Sequence, residues 1–518
     1  MLNAADLPDD IDTLKAMILA AEGREERHVE RIAQLEKLLA DVKRALFGRK
    51  SERADPDQFE LALEDIETAV ESLQAAEEAA EEAAEEADER QVAGKPRPRK
   101  ANRGSLPKHL PRIEEVIEPE RTVCDCGHER HIIGCDVSER LDIVPAQFRV
   151  IVTRRPKYAC RSCEGRIVQA PAPAHLIPGG MPTEATVAHV IVSKYADHLP
   201  LYRQAQIYSR QGIDLDRSTL AAWAGRAAFE LKPVYDALLA NLKRSTKLFM
   251  DETRAPVLDP GRRKTKTGYF WALARDDRSW GGDDPPGVAF TYAPGRSGQY
   301  AEDILKGFSG TLQVDGYAGY NQLLKRPAQG VELAYCWAHA RRKLHEVAQT
   351  GTTPIADEGL KQIATLYRIE KEIRGQNPEA RRIARQERSK PVIGDFETWL
   401  TTHRARVSAK SPLGEALKYI AKYWDGLTLF LNDGRIEIDS NTVERAIRPI
   451  ALNRKNALFA GHDAGAQNWA ILASLIETCK LNTVNPHAWL TGTLTAIING
   501  HKQSRIEELL PWNYANPV

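Results

Sequence analysis

Between Leu14 and Leu46 apolar residues return at alternating intervals of three and four, which predicts an amphipathic helix over residues 11–50. Its two registers are Leu14, Ala21, His28, Leu35, Val42 and Ile18, Glu25, Ile32, Leu39, Leu46. Eight of these ten are apolar, which favours a leucine-zipper-like coiled coil and self-association. One helix packed on its own domain is the plainer alternative. Residues 51–94 are rich in Ala and Glu and lack an apolar stripe beyond Val70, as in a solvated acidic helix serving as a spacer or as a screen for a basic body. Residues 95–120 have no period. Prolines separate Lys95, Arg97, Arg99, Lys100, Arg103, Lys108 and Arg112, the pattern of an extended basic linker or tether.

Over residues 121–175 the period changes to two. The stretch DVSERLDIVPAQFRVIVTRRPKYAC alternates as a β-hairpin does, and it connects Cys124-Asp-Cys126-Gly to Cys160-Arg-Ser-Cys163. A hairpin that brings two thiolate pairs together makes a tetrahedral site for structural Zn²⁺, with Cys124, Cys126, Cys160 and Cys163 as ligands. The first pair has one intervening residue, a tight chelate, so Cys135, His128 or His131 are alternative ligands there.

Residues 180–243 return to helical spacing. LPLYRQAQIYSRQ, a turn around Gly212, and RSTLAAWAGRAAFEL fit a helix-turn-helix, with Asp216 or Ser218 as cap and Arg217, Ser218 and Thr219 as groove-facing residues. Helical hairpins with no DNA role share this shape.

The next stretch reads as mixed α/β. A short strand Lys247–Met250 ends on Asp251, GYFWALARD and VAFTYAP supply two more, and Thr311–Val314 ends on Asp315. VELAYCWAHARRKLHEV is a strand running into a helix. Strand-end aspartates on neighbouring strands set two carboxylates on one sheet edge, as a pair of Mg²⁺ ions requires. Each also has a simpler reading, a strand end and an Asp-Gly turn. Glu444 in DSNTVERAIRP is the third acid, although Asn441 and Glu444 have capping-box spacing and Glu444 and Arg448 an i,i+4 spacing. Cys336 and His339 stand three apart at a helix start. With two ligands visible, they read as packing or DNA-positioning residues.

Charge sharpens this picture. Across 518 residues, 72 Lys and Arg balance 72 Asp and Glu. Yet residues 1–90 hold 26 acidic and 11 basic side chains, leaving 46 acidic and 61 basic over residues 91–518. A polyanion is the first candidate partner for the basic part. No apolar run approaches the ~20 residues that span a bilayer. The acidic start MLNAADLPDDID has no export pattern, and seven cysteines with four in close pairs suit a reducing cytoplasm and a metal site.

Several motifs then follow one another in order: LFGRKSER, LPKHLPR, the two cysteine pairs, KYADHLPLYRQ, GIDLDRSTLAAW, MDET, VDGYAGYNQL, CWAHARRK and ERAIRPIALNRKNALFAG. Over nearly its whole length the chain resembles the catalytic transposase of bacterial insertion sequence 66 family elements. The first cysteine pair departs from the family's usual C-x-x-C. The resemblance implies an RNase H-like fold with a DDE triad of Asp251, Asp315 and Glu444, using two Mg²⁺ (or Mn²⁺) ions. It implies a transposase that binds insertion-sequence ends, cleaves DNA and joins 3′-OH ends to target DNA in the bacterial nucleoid. Accessory proteins encoded by the same element are expected partners. Arg341, Arg342, Lys343, Arg445, Arg448, Arg454 and Lys455 are the candidate phosphate contacts.

The expected fold class is therefore multidomain α+β. It comprises an N-terminal coiled-coil helix, a zinc-binding β module, a helical helix-turn-helix-like domain and an RNase H-like α/β catalytic domain. The last is split into residues 244–345 and 433–480. The 129 residues from Asp315 to Glu444 exceed what one strand and a connection need, which predicts a helical insertion over 346–432. Residues 481–518 form a helical tail.

Overall fold

A computed structural model describes residues 106, 111–119, 122–144, 147–161, 166–259, 264–324, 330–349, 353–457 and 460–514. The heptad segment, the acidic segment and most of the basic linker lie outside the described residues, as does Cys163.

The first sheet contains β1 (Arg112–Val116), β2 (His131–Val144), β3 (Gln147–Ala159) and β4 (Val168–Gln169). β2 and β3 form the antiparallel hairpin that alternation predicts, with β1 parallel to β3 on its other side. The hairpin is joined to the rest of the molecule through Asp142, whose carboxylate accepts from Thr183 Oγ1 at 3.1 Å and pairs with Arg149.

Three helices follow: α1 (Glu184–Tyr195), α2 (Leu201–Arg210) and α3 (Arg217–Lys243). Thr183 caps α1 by accepting from the Thr186 amide. At the turn after α2, Gly212 has φ of 78°, a left-handed conformation that glycine adopts without steric cost. Asp216 is the N-cap residue of α3 but makes no side-chain capping bond. Beyond its first turn α3 is a core helix: Leu220, Ala224, Ala228, Leu231, Val234 and Leu238 are all fully buried.

The second sheet has the order β7-β6-β5-β8-β9, from β5 (Lys247–Asp259), β6 (Lys264–Arg275), β7 (Gly287–Ala293), β8 (Gly310–Val314) and β9 (Val331–Tyr335). β5, β6 and β7 form an antiparallel meander, whereas β8 and β9 run parallel to β5. α4 (Gly298–Ile304) and the single turn α5 (Asn321–Leu324) make the crossovers. β6 is apolar on both faces because both are covered. Phe270, Trp271, Ala272 and Leu273 are fully buried, and each large side chain among them contributes about 1.5–3 kcal/mol by leaving water.

One expectation needs correction. Asp251 does not end its strand: β5 continues to Asp259 because β6 pairs with it throughout, from Phe249 opposite Ala274 to Asp259 opposite Lys264. What stops near Asp251 is the pairing with β8, whose last partner on β5 is Phe249. Pro256, without an amide hydrogen, lies beyond the β8 pairing, where its carbonyl accepts from the Ala460 amide at 2.8 Å.

After β9 come α6 (Trp337–Ala348), α7 (Pro354–Ile373), α8 (Pro378–Ala384), α9 (Lys390–Arg406), α10 (Pro412–Lys422) and α11 (Trp424–Thr428). These helices have their own core. Trp337 is fully buried, packs edge-on to Phe396 and Trp424, and donates its indole N–H to Leu427 O at 2.7 Å. The chain then returns to the sheet as α12 (Asn441–Ala457), α13 (Asp463–Leu481) and α14 (Pro486–Ile498). α13 covers the meander: Ser474 Oγ and Thr478 Oγ1 accept from the amides of Phe290 and Val288.

The charged run RIEKEIRGQNPEARRIARQERSK reads in sequence as a DNA-contacting or solvated surface. Part of it is neither. Arg385 is fully buried and Arg381 is 1% exposed. Arg385 meets Glu370 at 2.7 and 2.8 Å, and Arg381 bridges Glu370 to Glu437. Glu437 in turn exchanges backbone bonds with the Gln313 side chain on β8. The insertion is thus fastened to the sheet immediately before α12.

Candidate active site

β5 and β8 are parallel, with Phe249 opposite Gln313. Two residues further on, Asp251 and Asp315 come off adjacent strands at the same level, and strands lie about 4.8 Å apart. Both are half-buried. The Asp251 carboxylate accepts from the Glu252 amide at 2.8 Å, and that of Asp315 from the Tyr317 amide at 2.9 Å. Gly316 packs closely against the helical insertion: a Cβ there would meet Tyr419 Oη at 2.5 Å. Tyr423, also from the helical insertion, donates to Gly316 O at 2.5 Å.

Glu444 lies in the first turn of α12, which packs on β5 and β6. Its capping-box reading is not what the structure contains. Asp439 accepts from the Asn441 amide and side chain, while the Glu444 side chain points to α6. There Glu444 Oε1 is 3.7 Å from His339 Nδ1 and Oε2 is 3.8 Å from Arg342. Arg448, its i,i+4 neighbour, is exposed.

Burial raises the Asp251 carboxyl to about 8, aided by the negative charges of Asp315, Glu252 and, less strongly, Glu444. Asp315 and Glu444 both lie near enough to act on the Asp251 carboxyl. Sequence reasoning missed a fourth acid, Glu252, whose side chain is 1% exposed. Strand alternation turns Glu252 to the opposite side from Asp251, where it accepts from Tyr320 at 2.7 Å and from Arg296 Nε at 2.6 Å. Arg296 lies over the Tyr317 ring, 3.8 Å from its centroid. The one available signal was adjacency, an acid directly after Asp251 in MDET and aromatic residues directly after Asp315.

In the first sheet module, Cys124, Cys126 and Cys160 converge, their sulfurs within 4.8 Å of one another and Cys126 Sγ 3.5 Å from Cys160 Sγ. Cys124 is thus in the cluster despite the short spacing of its pair. His128 Nδ1 is 3.6 Å from Cys126 Sγ. Cys135 lies within β2 opposite Pro156, its thiol on Asp136 O, outside that cluster.

Arg217, Ser218 and Thr219 are half-buried at the start of α3. Arg341, Arg342 and Lys343 are exposed on α6, and Arg445 and Arg448 are exposed on α12. Arg454 donates to Arg254 O at 2.7 Å, which ties α12 to β5, and Lys455 follows it on that helix.

The profile described as "Transposase IS66 family" matches residues 179–468, more than half of the chain and all of this site. The chain belongs to the IS66 transposase family. Three further family profiles match in order: "Transposase C of IS166 homeodomain" over 34–114, "zinc-finger binding domain of transposase IS66" over 121–164 and "IS66 C-terminal element" over 474–512. "Uncharacterized protein y4qI" of Sinorhizobium fredii (strain NBRC 101917 / NGR234) is 45% identical across 99% of both chains. "Uncharacterized protein y4jD" of the same organism is 44% identical across 98% of this chain and 97% of its own. A solved "Drosophila P element transposase strand transfer complex" aligns over 58% of this chain and 94% of its own, at 11% identity and a TM-score of 0.34, a likeness too slight to bear on fold or reaction.

Membership of the IS66 family supports a transposase role. The zinc-finger match and the cluster of three sulfurs together support structural zinc, for which soft thiolate donors are well suited. Among the described residues, no helix is long and apolar enough to cross a membrane.

Proposed function

We propose that Asp251, Asp315 and Glu444 form the DDE centre of an RNase H-like domain. This centre cleaves DNA at the ends of an insertion-sequence element and joins the freed 3′-OH ends to target DNA. The observation that carries this reading is the placement of Asp251 and Asp315 at one level of two adjacent parallel strands, with Glu444 near enough to add to the burial and acidic charge that push Asp251 up to about 8. A sheet order of β7-β6-β5-β8-β9, in which β6 alone runs antiparallel to the other four strands, supports the RNase H-like assignment.

Clustered carboxylates repel one another and would repel a phosphodiester, and divalent cations relieve both effects. The donors are hard oxygens, which suit Mg²⁺ or Mn²⁺. Two such ions, held by Asp251, Asp315 and Glu444, would supply charge neutralisation at the scissile phosphate and activation of the attacking hydroxyl. The protein's own part is positioning. The amides of Glu252 and Tyr317 orient the two aspartates, and the Glu437–Gln313 contacts seat the start of α12.

DNA is the partner in this reading, both as terminal inverted repeats and as target. Arg341, Arg342 and Lys343, exposed on α6, and Arg445 and Arg448, exposed on α12, serve as phosphate contacts, with Arg454 and Lys455 further along α12. Arg217, Ser218 and Thr219 contribute from the helix-turn-helix. Self-association through residues 11–50 and assistance from accessory proteins of the same element complete the proposal.

Incubating the full chain with labelled element ends, target DNA and Mg²⁺ tests it. Joined products are expected, and Asp251→Asn should bind ends without forming them. Cutting without joining would instead mark a nuclease. No cutting at all would mark a zinc-containing DNA-binding protein with an inactive catalytic domain.

A further inference from the structure

Cys336 and His339 offer two ligands at the start of α6, and the fold adds a third from far along the chain. Cys336 Sγ, one His339 ring nitrogen and one Glu444 oxygen all lie within 4.8 Å of one another. His339 Nδ1 and Glu444 Oε1, 3.7 Å apart, are both buried atoms without a hydrogen-bond partner. Two solvent-excluded polar atoms facing one another at that distance are costly unless something joins them. A tetrahedral zinc ion, with bonds of about 2.0–2.3 Å, sets its ligand atoms roughly 3.3–3.8 Å apart. Cys336 is 2% exposed, and its sulfur already accepts the Ser440 amide at 3.2 Å, an outer contact that steadies a metal-bound thiolate.

We propose that Cys336, His339 and Glu444 bind a thiophilic divalent cation of the Zn²⁺ class, distinct from the cysteine-cluster zinc and from the Mg²⁺ centre. Sulfur and imidazole donors select zinc over magnesium. Zinc bound here engages the Glu444 carboxylate from the α6 side, competes with the Mg²⁺ centre for that oxygen donor, and so restrains the DNA-processing centre. Binding displaces the Cys336 thiol proton to solvent. The restraint rests on the proposed catalytic role of Glu444, whereas the binding itself does not.

The test uses the full chain, stripped with chelator and dialysed against Zn²⁺ alone, with metal counted by atomic emission. Wild type should hold one more zinc per chain than Cys336→Ser and than His339→Ala, each checked for an unchanged far-ultraviolet spectrum. If either variant fails to fold, Glu444→Gln takes its place, with the same loss of one equivalent expected. Equal counts would overturn the site. With labelled ends in Mg²⁺, the zinc concentration that halves wild-type cleavage should be at least tenfold lower than that for Cys336→Ser. Equal midpoints would overturn the restraint. Absence of wild-type cleavage would sink the transposition chemistry and the restraint together, while the zinc count would still decide the site.

Discussion

The Arg296 guanidinium grips the buried carboxylate of Glu252 through Nε and Nη2, one residue beyond Asp251. The pair sits directly beneath the site, with Tyr320 on the second Glu252 oxygen and Tyr317 under the arginine plane. Arg296→Ala strips Glu252 of its cation and should destabilise the protein. Arg296→Ala combined with Glu252→Gln should recover part of the loss, with a coupling of about 1–3 kcal/mol in urea unfolding. Additive losses would show that the two side chains act independently.

Asp251 gives the metal-free protein a pH signature. Its carboxyl is raised to about 8 in the fold against an ordinary value of 3.8, mainly by burial. Between those values the folded state binds more protons than the unfolded state, so stability falls as pH rises. In chelator, the melting temperature should drop between pH 5 and pH 8, and the drop should be smaller by at least a few degrees in Asp251→Asn. Identical pH profiles would remove Asp251 as the source.

Gly316 is pinned between Asp315 and the helical insertion. Gly316→Ala places a methyl against Tyr419 Oη and Cε2, at 2.5 and 2.6 Å, and must displace either the ring or the Asp315 turn. Expected is a fold intact by circular dichroism with DNA cleavage lowered at least tenfold. Tyr419→Ala in the same chain should restore part of that activity by opening space. If the alanine variant cuts at the wild-type rate, the turn tolerates the shift and Tyr419 does not set it.

Glu370 is the anion between two buried arginines. Glu370→Ala leaves Arg381 and Arg385 without that carboxylate, and removing one partner of a buried pair costs about 3–5 kcal/mol. Urea unfolding measures the loss. A cost below ~1 kcal/mol would mean that the backbone carbonyls of Phe430, Asp433 and Ile436 satisfy Arg385 unaided.

Much of this architecture follows from local pattern. The hairpin between the cysteine pairs is visible because alternation survives for a dozen residues per strand. The apolar run of β6 signals a strand covered on both faces. The far end of β5 is harder to read, since TRAPVLD contains a proline and owes its extension to β6. The buried arginines are harder still. Nothing in RIEKEIRGQNPEARRIARQERSK distinguishes Arg385 from an exposed neighbour, because its partners are Glu370, fifteen residues back, and carbonyls about fifty residues ahead. Glu444 posed the same difficulty. Its sequence neighbours suggested a helix cap, whereas its spatial neighbours, His339 and Arg342, come from a helix a hundred residues earlier.

The insertion also sets the order in which the centre can come into being. A ribosome delivers Asp251 and Asp315 on their strands long before Glu444, and every helix from α6 to α11 is synthesised in between. Glu437 can hold the start of α12 only once Arg381 and Gln313 are in place to receive it. A nascent or prematurely terminated chain that stops inside the insertion therefore carries the cysteine module and helices α1–α3 with only two of the three acids. On the proposed reading such fragments lack the third acid yet keep the segments assigned to DNA, which makes shortened translation products competitors for the element's ends.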